Sequence, residues 1–179
     1  MFALHICGYA ELRPAIESFK PTHIISAIEQ IDRLPGKHLH VKVSDVSSTQ
    51  PGYITPTSNH LTKVLEFTQD LTDEDRLLVH CFAGQSRSTA FAIAALIQHG
   101  MTYREAFDEV SALRSILLPN KLIVRQTDVH FGLNGEFERL VQDYYHDSMM
   151  RTRRPPSGPT ADAIAAMKAL KDLFARYDL

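Results

Sequence analysis

The sequence predicts an α/β domain: a central, largely parallel sheet of about four or five strands flanked by helices. Three observations carry that reading. Runs of β-branched and apolar residues alternate with helical patterns along most of the chain. A strand of buried type leading into Cys81 passes through a short polar turn into a helix that is apolar on all sides. The length, 179 residues, is close to that of one domain with a core of its own.

Taken in order, the strand candidates are Leu4 to Cys7, His23 to Ala27, His38 to Val43 and Arg76 to His80. Ala10 to Lys20 reads as a helix between the first two, because Pro14 is tolerated in a first helical turn. Ser58 to Asp70 is a second helix, with Leu61, Val64 and Leu65 at helical spacing behind a Thr57 or Ser58 cap. Ser88 to Gln98 carries apolar residues without a break from Ala90 to Ile97, so it belongs in the middle of the fold. Gly100 ends it, and Thr102 caps a helix to about Leu113. Asn120 to about Tyr145 is helical on either side of a break near Gly132 to Gly135. Arg151 to Thr160 (RTRRPPSGPT) concentrates proline and glycine, and its arginines read as a solvated linker. Ala161 to Tyr177 follows as an amphipathic helix with Ile164, Met167, Leu170 and Phe174 on one stripe.

Composition narrows the partners. Hydrophobic residues make up 44% and charged residues 22%, with a net charge of -2, an ordinary soluble balance without a strong pull toward nucleic acid or anionic membrane. The first residues show no basic leader, and no stretch reaches the roughly 18 uninterrupted apolar residues of a membrane span, so a cytoplasmic protein is expected. Cys7 and Cys81 are the only cysteines, which excludes a disulfide framework and a four-cysteine metal site and suits a reactive thiol in a reducing compartment. The nine histidines show no HExxH-type spacing and read as surface or packing residues. Neither metal nor cofactor is expected. Nothing in the sequence sets an oligomeric state.

The chemistry is concentrated in Leu77-Leu78-Val79-His80-Cys81-Phe82-Ala83-Gly84-Gln85-Ser86-Arg87-Ser88-Thr89, which runs from strand through turn into the buried helix. Five residues separating a cysteine from an arginine is a weak signal alone; the structural context gives it weight. A turn feeding a helix N-terminus aims successive N–H groups inward as an anion nest, and the helix dipole adds positive potential. Phe82, Ala83, Gly84, Gln85, Ser86 and Arg87 are therefore the candidate phosphate ligands. The same field favours the thiolate of Cys81, the candidate nucleophile. Arg87 reaches across the turn with a planar fork that can bind two phosphate oxygens. Gly84 suits a positive φ or a close backbone approach. Ser88 can donate to the Cys81 sulfur, which helps most when that sulfur must leave, and His80 is expected to orient the loop through its ring nitrogens. A poor leaving group also needs a proton. Asp45 is the best donor: it follows the third strand, 36 positions before Cys81, at the head of the long loop Val46 to Pro56. Asp70, Asp73 and Asp75 sit too close to the strand leading to Cys81 and read as a solvated turn. Cys7 reads as a small core residue rather than a redox partner.

HCFAGQSRST and VSDV together resemble the cysteine-based protein phosphatases, whose pattern is a strand ending in HC, then xxGxSR[ST], with an acid aspartate some thirty-odd residues upstream on a mobile loop. The protein looks like a compact, bacterial-type member of the protein-tyrosine or dual-specificity group, over about residues 3 to 145. The segment Leu118-Pro119-Asn120 is similar to the family's proline-asparagine turn, which implies that the Asn120 side chain supports the phosphate loop. The resemblance implies a two-step reaction on a phosphorylated protein or peptide. Thiolate attack gives a phosphocysteine while Asp45 protonates the leaving oxygen, and Asp45 then acts as base for the hydrolytic water. The organisation this suggests is a catalytic domain over 1–148, a linker over 149–160 and a C-terminal helix over 161–179. Two other readings compete. A rhodanese-like sulfurtransferase shares a cysteine-centred anion loop but usually lacks the arginine and the upstream acid. A catalytically weak phospho-residue binding module would be expected to lack Cys81 or Arg87. A phosphoinositide substrate is disfavoured because Phe82 to Ser86 contains no lysine.

Overall fold

The computed structural model describes residues 1–153. The protein divides into two units, Met1–Asp143 and Tyr144–Leu179. The first holds a sheet of four parallel strands, β1 (Ala3–Gly8), β2 (His23–Ala27), β3 (Lys37–Val41) and β4 (Arg76–Cys81), in the order β1-β4-β2-β3. Its helices are α1 (Leu12–Phe19), α2 (Ser58–Thr68), α3 (Arg87–Gln98), α4 (Tyr103–Leu113) and α5 (Lys121–Phe131), together with the start of α6 (Glu136–Arg153). The described part of the second unit is the end of α6.

Helix α3 is the centre of the core: every residue from Arg87 to Leu96 is buried. It packs against β1, β2 and β4 of the sheet and against α2, α4 and α5. A second apolar cluster joins Cys7, Ile24 and Leu78 of the sheet to Leu12 and Ala15 of α1, with Ile31 and Leu34 of the β2–β3 loop against it. The two central strands, β2 and β4, are buried almost throughout, as in the interior of a parallel sheet, whereas edge strand β3 (KHLHV) is buried only at Val41. In such sheets the carboxyl ends of the strands are where ligands bind. Here those ends are Gly8, Ala27, Val41 and Cys81.

Several boundaries differ from the sequence reading for local reasons. The backbone enters α1 through a 3-10 turn, Tyr9–Glu11, whose Glu11 carboxylate accepts the Gly8 N–H at 2.7 Å; Pro14 then lies in the first turn of the helix. β3 stops at Val41 rather than Val43, since the Val43 carbonyl accepts from Arg87 and Ser44 turns away to pair with Ile54. Thr57 is the residue preceding α2, where its N–H and hydroxyl both meet the His60 ring. The break at Gly132 to Gly135 is organised by buried Asp128, whose carboxylate accepts the N–H groups of Gly135, Phe137 and Glu138 at the start of α6. Helix α6 continues to Arg153, past the expected end at Tyr145 and into the stretch read as linker. The remainder of that stretch and the helix expected over 161–179 lie outside the described residues.

Candidate active site

The turn after β4 is built backbone against backbone on the end of β1. Gly84 has φ +70°, and a Cβ there would stand 2.5 Å from the backbone carbonyl carbon of Cys7 and from the backbone nitrogen of Gly8. Only glycine can take that φ without strain and leave room for the neighbouring strand. On the same edge, the Tyr9 N–H donates to the Phe82 carbonyl at 2.9 Å. The far side of the loop is held by the α4–α5 connection, through Leu118 N–H to Gln85 O at 2.9 Å and Asn120 N–H to Ser86 O at 3.2 Å. The Thr89 hydroxyl closes it from beneath, donating to the carbonyls of Gln85 and Ser86. With the Phe82, Gln85 and Ser86 carbonyls taken up in this way, the N–H groups of the loop are left for the Cys81 sulfur, which accepts that of Gly84, and for an anion at the N-terminus of α3.

Cys81 lies at the base of this turn, 1% exposed. Its Sγ is 3.2 Å from Ser88 Oγ and accepts the Gly84 N–H at 3.2 Å. Burial alone would push the thiol up. The Ser88 hydroxyl, the backbone groups of Ser88 and Ser86 and the charge of Arg87 outweigh it and bring the thiol below its ordinary value.

Arg87 is buried at the first turn of α3. Its Nη1 donates to Glu29 Oε2 at 3.0 Å and to the Val43 carbonyl at 2.8 Å, which fixes the plane of the guanidinium. Buried Nε has no protein acceptor. A buried N–H without a partner is costly, and an oxyanion in the loop would satisfy it. No sequence pattern points to Glu29. It sits in an irregular turn after β2, and only the fold brings it to Arg87, 58 positions along the sequence. Burial works against ionisation of Glu29, but its own backbone N–H, Arg87 and the Ser44 hydroxyl hold its carboxyl below the ordinary value.

Asp45 is exposed and leans onto the same loop. Its Oδ1 accepts the Ser86 hydroxyl at 2.6 Å and the Asn120 amide at 2.9 Å. Ser86 thus presents its backbone to the loop and its side chain to the candidate acid. Asn120 differs from the expectation in detail. Its N–H, not its side chain, holds the phosphate loop; the side chain donates to Asp45 and to the Val46 carbonyl and accepts from Leu122 and Ile123 to cap α5. His80 is fully buried, with Nε2 2.6 Å from Ser26 Oγ. Burial pushes its ring down to about 4, against an opposing backbone contact with Cys81. Cys7 is a buried free thiol that burial and, to a smaller degree, Glu11 push up to about 12, in keeping with a core residue. Among the described residues no cluster of His, Cys, Asp and Glu has the makings of a metal site. No described helix is long and apolar enough to cross a membrane.

The fold therefore gathers Cys81, Arg87, Ser88, Asp45, Asn120 and the loop Phe82 to Ser86 around one anion-sized turn. Residues 7–128 match the family model described as the dual specificity phosphatase catalytic domain. The protein belongs to that family. The tyrosine-protein phosphatase yvh1 of Schizosaccharomyces pombe is 30% identical over 139 residues, covering 73% of this chain and 41% of the yeast protein. Dual specificity protein phosphatase 1 of Arabidopsis thaliana is 28% identical over 123 residues, covering 65% of this chain and 59% of the plant protein. The match thus spans less than two thirds of either relative. Among solved structures, the human tyrosine phosphatase-like serine/threonine/tyrosine-interacting protein superposes with a TM-score of 0.58 at 25% identity, over 74% of this chain and 93% of that one. The Yvh1 phosphatase domain from Chaetomium thermophilum gives a TM-score of 0.57 at 22% identity, over 75% of this chain and 93% of that one, a likeness of fold. Family membership favours a phosphatase over the sulfurtransferase reading.

Proposed function

We propose that this protein hydrolyses phosphomonoesters on phosphotyrosine, and also on phosphoserine or phosphothreonine, of a protein or peptide, through a phosphocysteine at Cys81. The observation that carries the reading is the pairing of a thiol held below its ordinary value with a buried arginine whose Nε lacks a protein acceptor, on either side of one glycine-hinged turn. The amides of Phe82 to Arg87 and the Arg87 fork bind the phosphoryl oxygens. Glu29 and the Val43 carbonyl keep the fork oriented.

In the first step the Cys81 thiolate attacks phosphorus, the ester P–O bond breaks and the leaving oxygen takes a proton from Asp45. Both hydrogen bonds to Asp45 fall on Oδ1, so Oδ2 is the oxygen assigned to the transfer. In the second step Asp45 takes a proton from water as the water oxygen attacks phosphorus, and sulfur leaves as thiolate, stabilised by the Ser88 hydroxyl. The rim supports an aromatic substrate: Phe82 is 70% exposed and Tyr9, bonded to it through the backbone, 51%. We assign catalysis to residues 1–148 and place the reactive thiol in the reducing cytoplasm. Hydrolysis of p-nitrophenyl phosphate by the purified protein, abolished in Cys81→Ser, is the expected result. Turnover that survives Cys81→Ser would dismiss the mechanism.

A further inference from the structure

Behind the phosphate loop, a relay of hydrogen bonds crosses three adjacent strands. Ser26 on β2 is the direct register partner of His80 on β4, and its Oγ lies 2.6 Å from His80 Nε2. His38 on β3 pairs in register with Ile24, so it stands diagonal to Ser26, and its Nε2 lies 2.8 Å from the same Oγ. The relay ends on the backbone: the Leu34 N–H donates to His38 Nδ1 at 3.0 Å. Side chains diagonal to one another on neighbouring strands are within reach, which is how one serine serves both rings.

The direction of every proton in this relay follows from its last member. A backbone N–H can only donate, so His38 Nδ1 must accept and the neutral His38 ring carries its proton on Nε2. That proton goes to Ser26 Oγ. The Ser26 hydroxyl proton is then left for His80 Nε2, and the His80 proton is placed on Nδ1. We propose that Ser26 and His38 are positioning residues that fix the tautomer of His80, so that a loop amide at Leu34 determines which ring nitrogen is presented to the backbone of the nucleophile. His80 Nδ1 is buried and has no hydrogen-bond partner among the described residues, and the Cys81 backbone is the next unit along the strand from this ring.

The surroundings keep both rings neutral, as the relay requires. Burial, then His40 and Arg33, lowers the His38 pKa; burial, then His38, His40 and Arg87, lowers that of His80 against the Cys81 contact. Protonating His38 would set Nδ1–H against the Leu34 N–H, two donors facing each other. The role reaches catalysis through the Cys81 backbone, so its effect on rate rests on the proposed function, whereas the tautomer itself does not.

Long-range ¹H–¹⁵N spectra of the 179-residue chain should therefore show His80 protonated on Nδ1 and His38 on Nε2. Ser26→Ala should mix the His80 tautomers, raise the pH at which Cys81 is alkylated by iodoacetamide and lower kcat for p-nitrophenyl phosphate about tenfold. His38→Asn can still accept from Leu34 but is too short to reach Ser26, and should reproduce the mixing. His38→Gln places an amide N–H at the Nε2 position and should restore the wild-type His80 signals. A His80 proton on Nε2 in the wild-type protein overturns the proposal without need of any variant. So does a folded Ser26→Ala with unchanged His80 signals. A protein with the expected tautomers but no phosphatase activity would overturn the proposed function and leave the positioning relay standing.

Discussion

The carboxylate of Asp45 and the hydroxyl of Ser86 lie 2.6 Å apart, so the loop after β3 is fastened to a side chain of the phosphate loop itself. If Asp45 is the proton donor, its loss must weigh most where the leaving group is poor. Asp45→Asn is expected to lower kcat/KM, which reports the phosphoryl-transfer step and not the hydrolysis of the shared phosphocysteine, by about 10² to 10⁴ on a phosphoserine peptide, the usual worth of a positioned general acid. On p-nitrophenyl phosphate, whose phenolate leaves readily, the loss should be much smaller. Equal losses on both substrates would make Asp45 a structural tether instead.

Asn120 joins that tether to helix stability, and the two contributions can be separated. Asn120→Ala removes the α5 cap, at about 1 kcal/mol, together with the amide that holds Asp45 and Val46. Asn120→Ser can still cap the helix but is too short to reach Asp45. Thermal unfolding should therefore be lowered in the alanine variant and largely recovered in the serine one, while kcat stays reduced in both. A serine variant with full kcat would separate Asn120 from the acid loop.

The parts of this site legible in the sequence are those written locally. Cys81, Arg87 and Ser88 sit on one strand–turn–helix unit, where apolar runs give the elements and the polar turn gives the chemistry. Asp45 is legible because a strand and a long loop place it at the sheet's carboxyl edge. Glu29 is not: it belongs to an irregular turn, and its contact with Arg87 exists only because β2 lies beside β4 in the sheet. The true use of the Asn120 side chain is hidden for the same reason, since its partners Asp45 and Val46 lie some 75 residues away. The end of β3 is obscured because apolar Val43 continues the strand pattern while its carbonyl is taken by Arg87.

Gly84 tests whether the loop's seat on β1 matters. An alanine Cβ would stand 2.5 Å from backbone atoms of Cys7 and Gly8, which cannot yield in the way the tip of a flexible side group would. Gly100 offers a control, with φ +95° but nothing within 4 Å of the added Cβ. Gly100→Ala should cost only backbone strain, on the order of 1 kcal/mol, with activity kept. Gly84→Ala should displace the loop and lower kcat by about 10², as misplacement by an ångström can. Comparable kcat values in the two variants would count against a close-packed loop.

The two cysteines should differ sharply toward an alkylating agent. Thiolate is the reactive form, so iodoacetamide at pH 7 is expected to modify Cys81 and spare Cys7, read by peptide mass mapping. The Cys81 rate should level off below the pH of an ordinary thiol, and Ser88→Ala should shift that plateau upward by removing a donor to the sulfur. Cys7 has the opposite consequence for stability. Its folded pKa of about 12 lies above the unfolded value, so the unfolded state loses its proton first as pH rises. The protonated thiol thus contributes fully below about pH 8.5 and progressively less toward pH 12. Denaturant melts of wild type and Cys7→Ala should therefore converge across that alkaline window, and parallel curves would refute the assignment of Cys7 as a buried, protonated core residue.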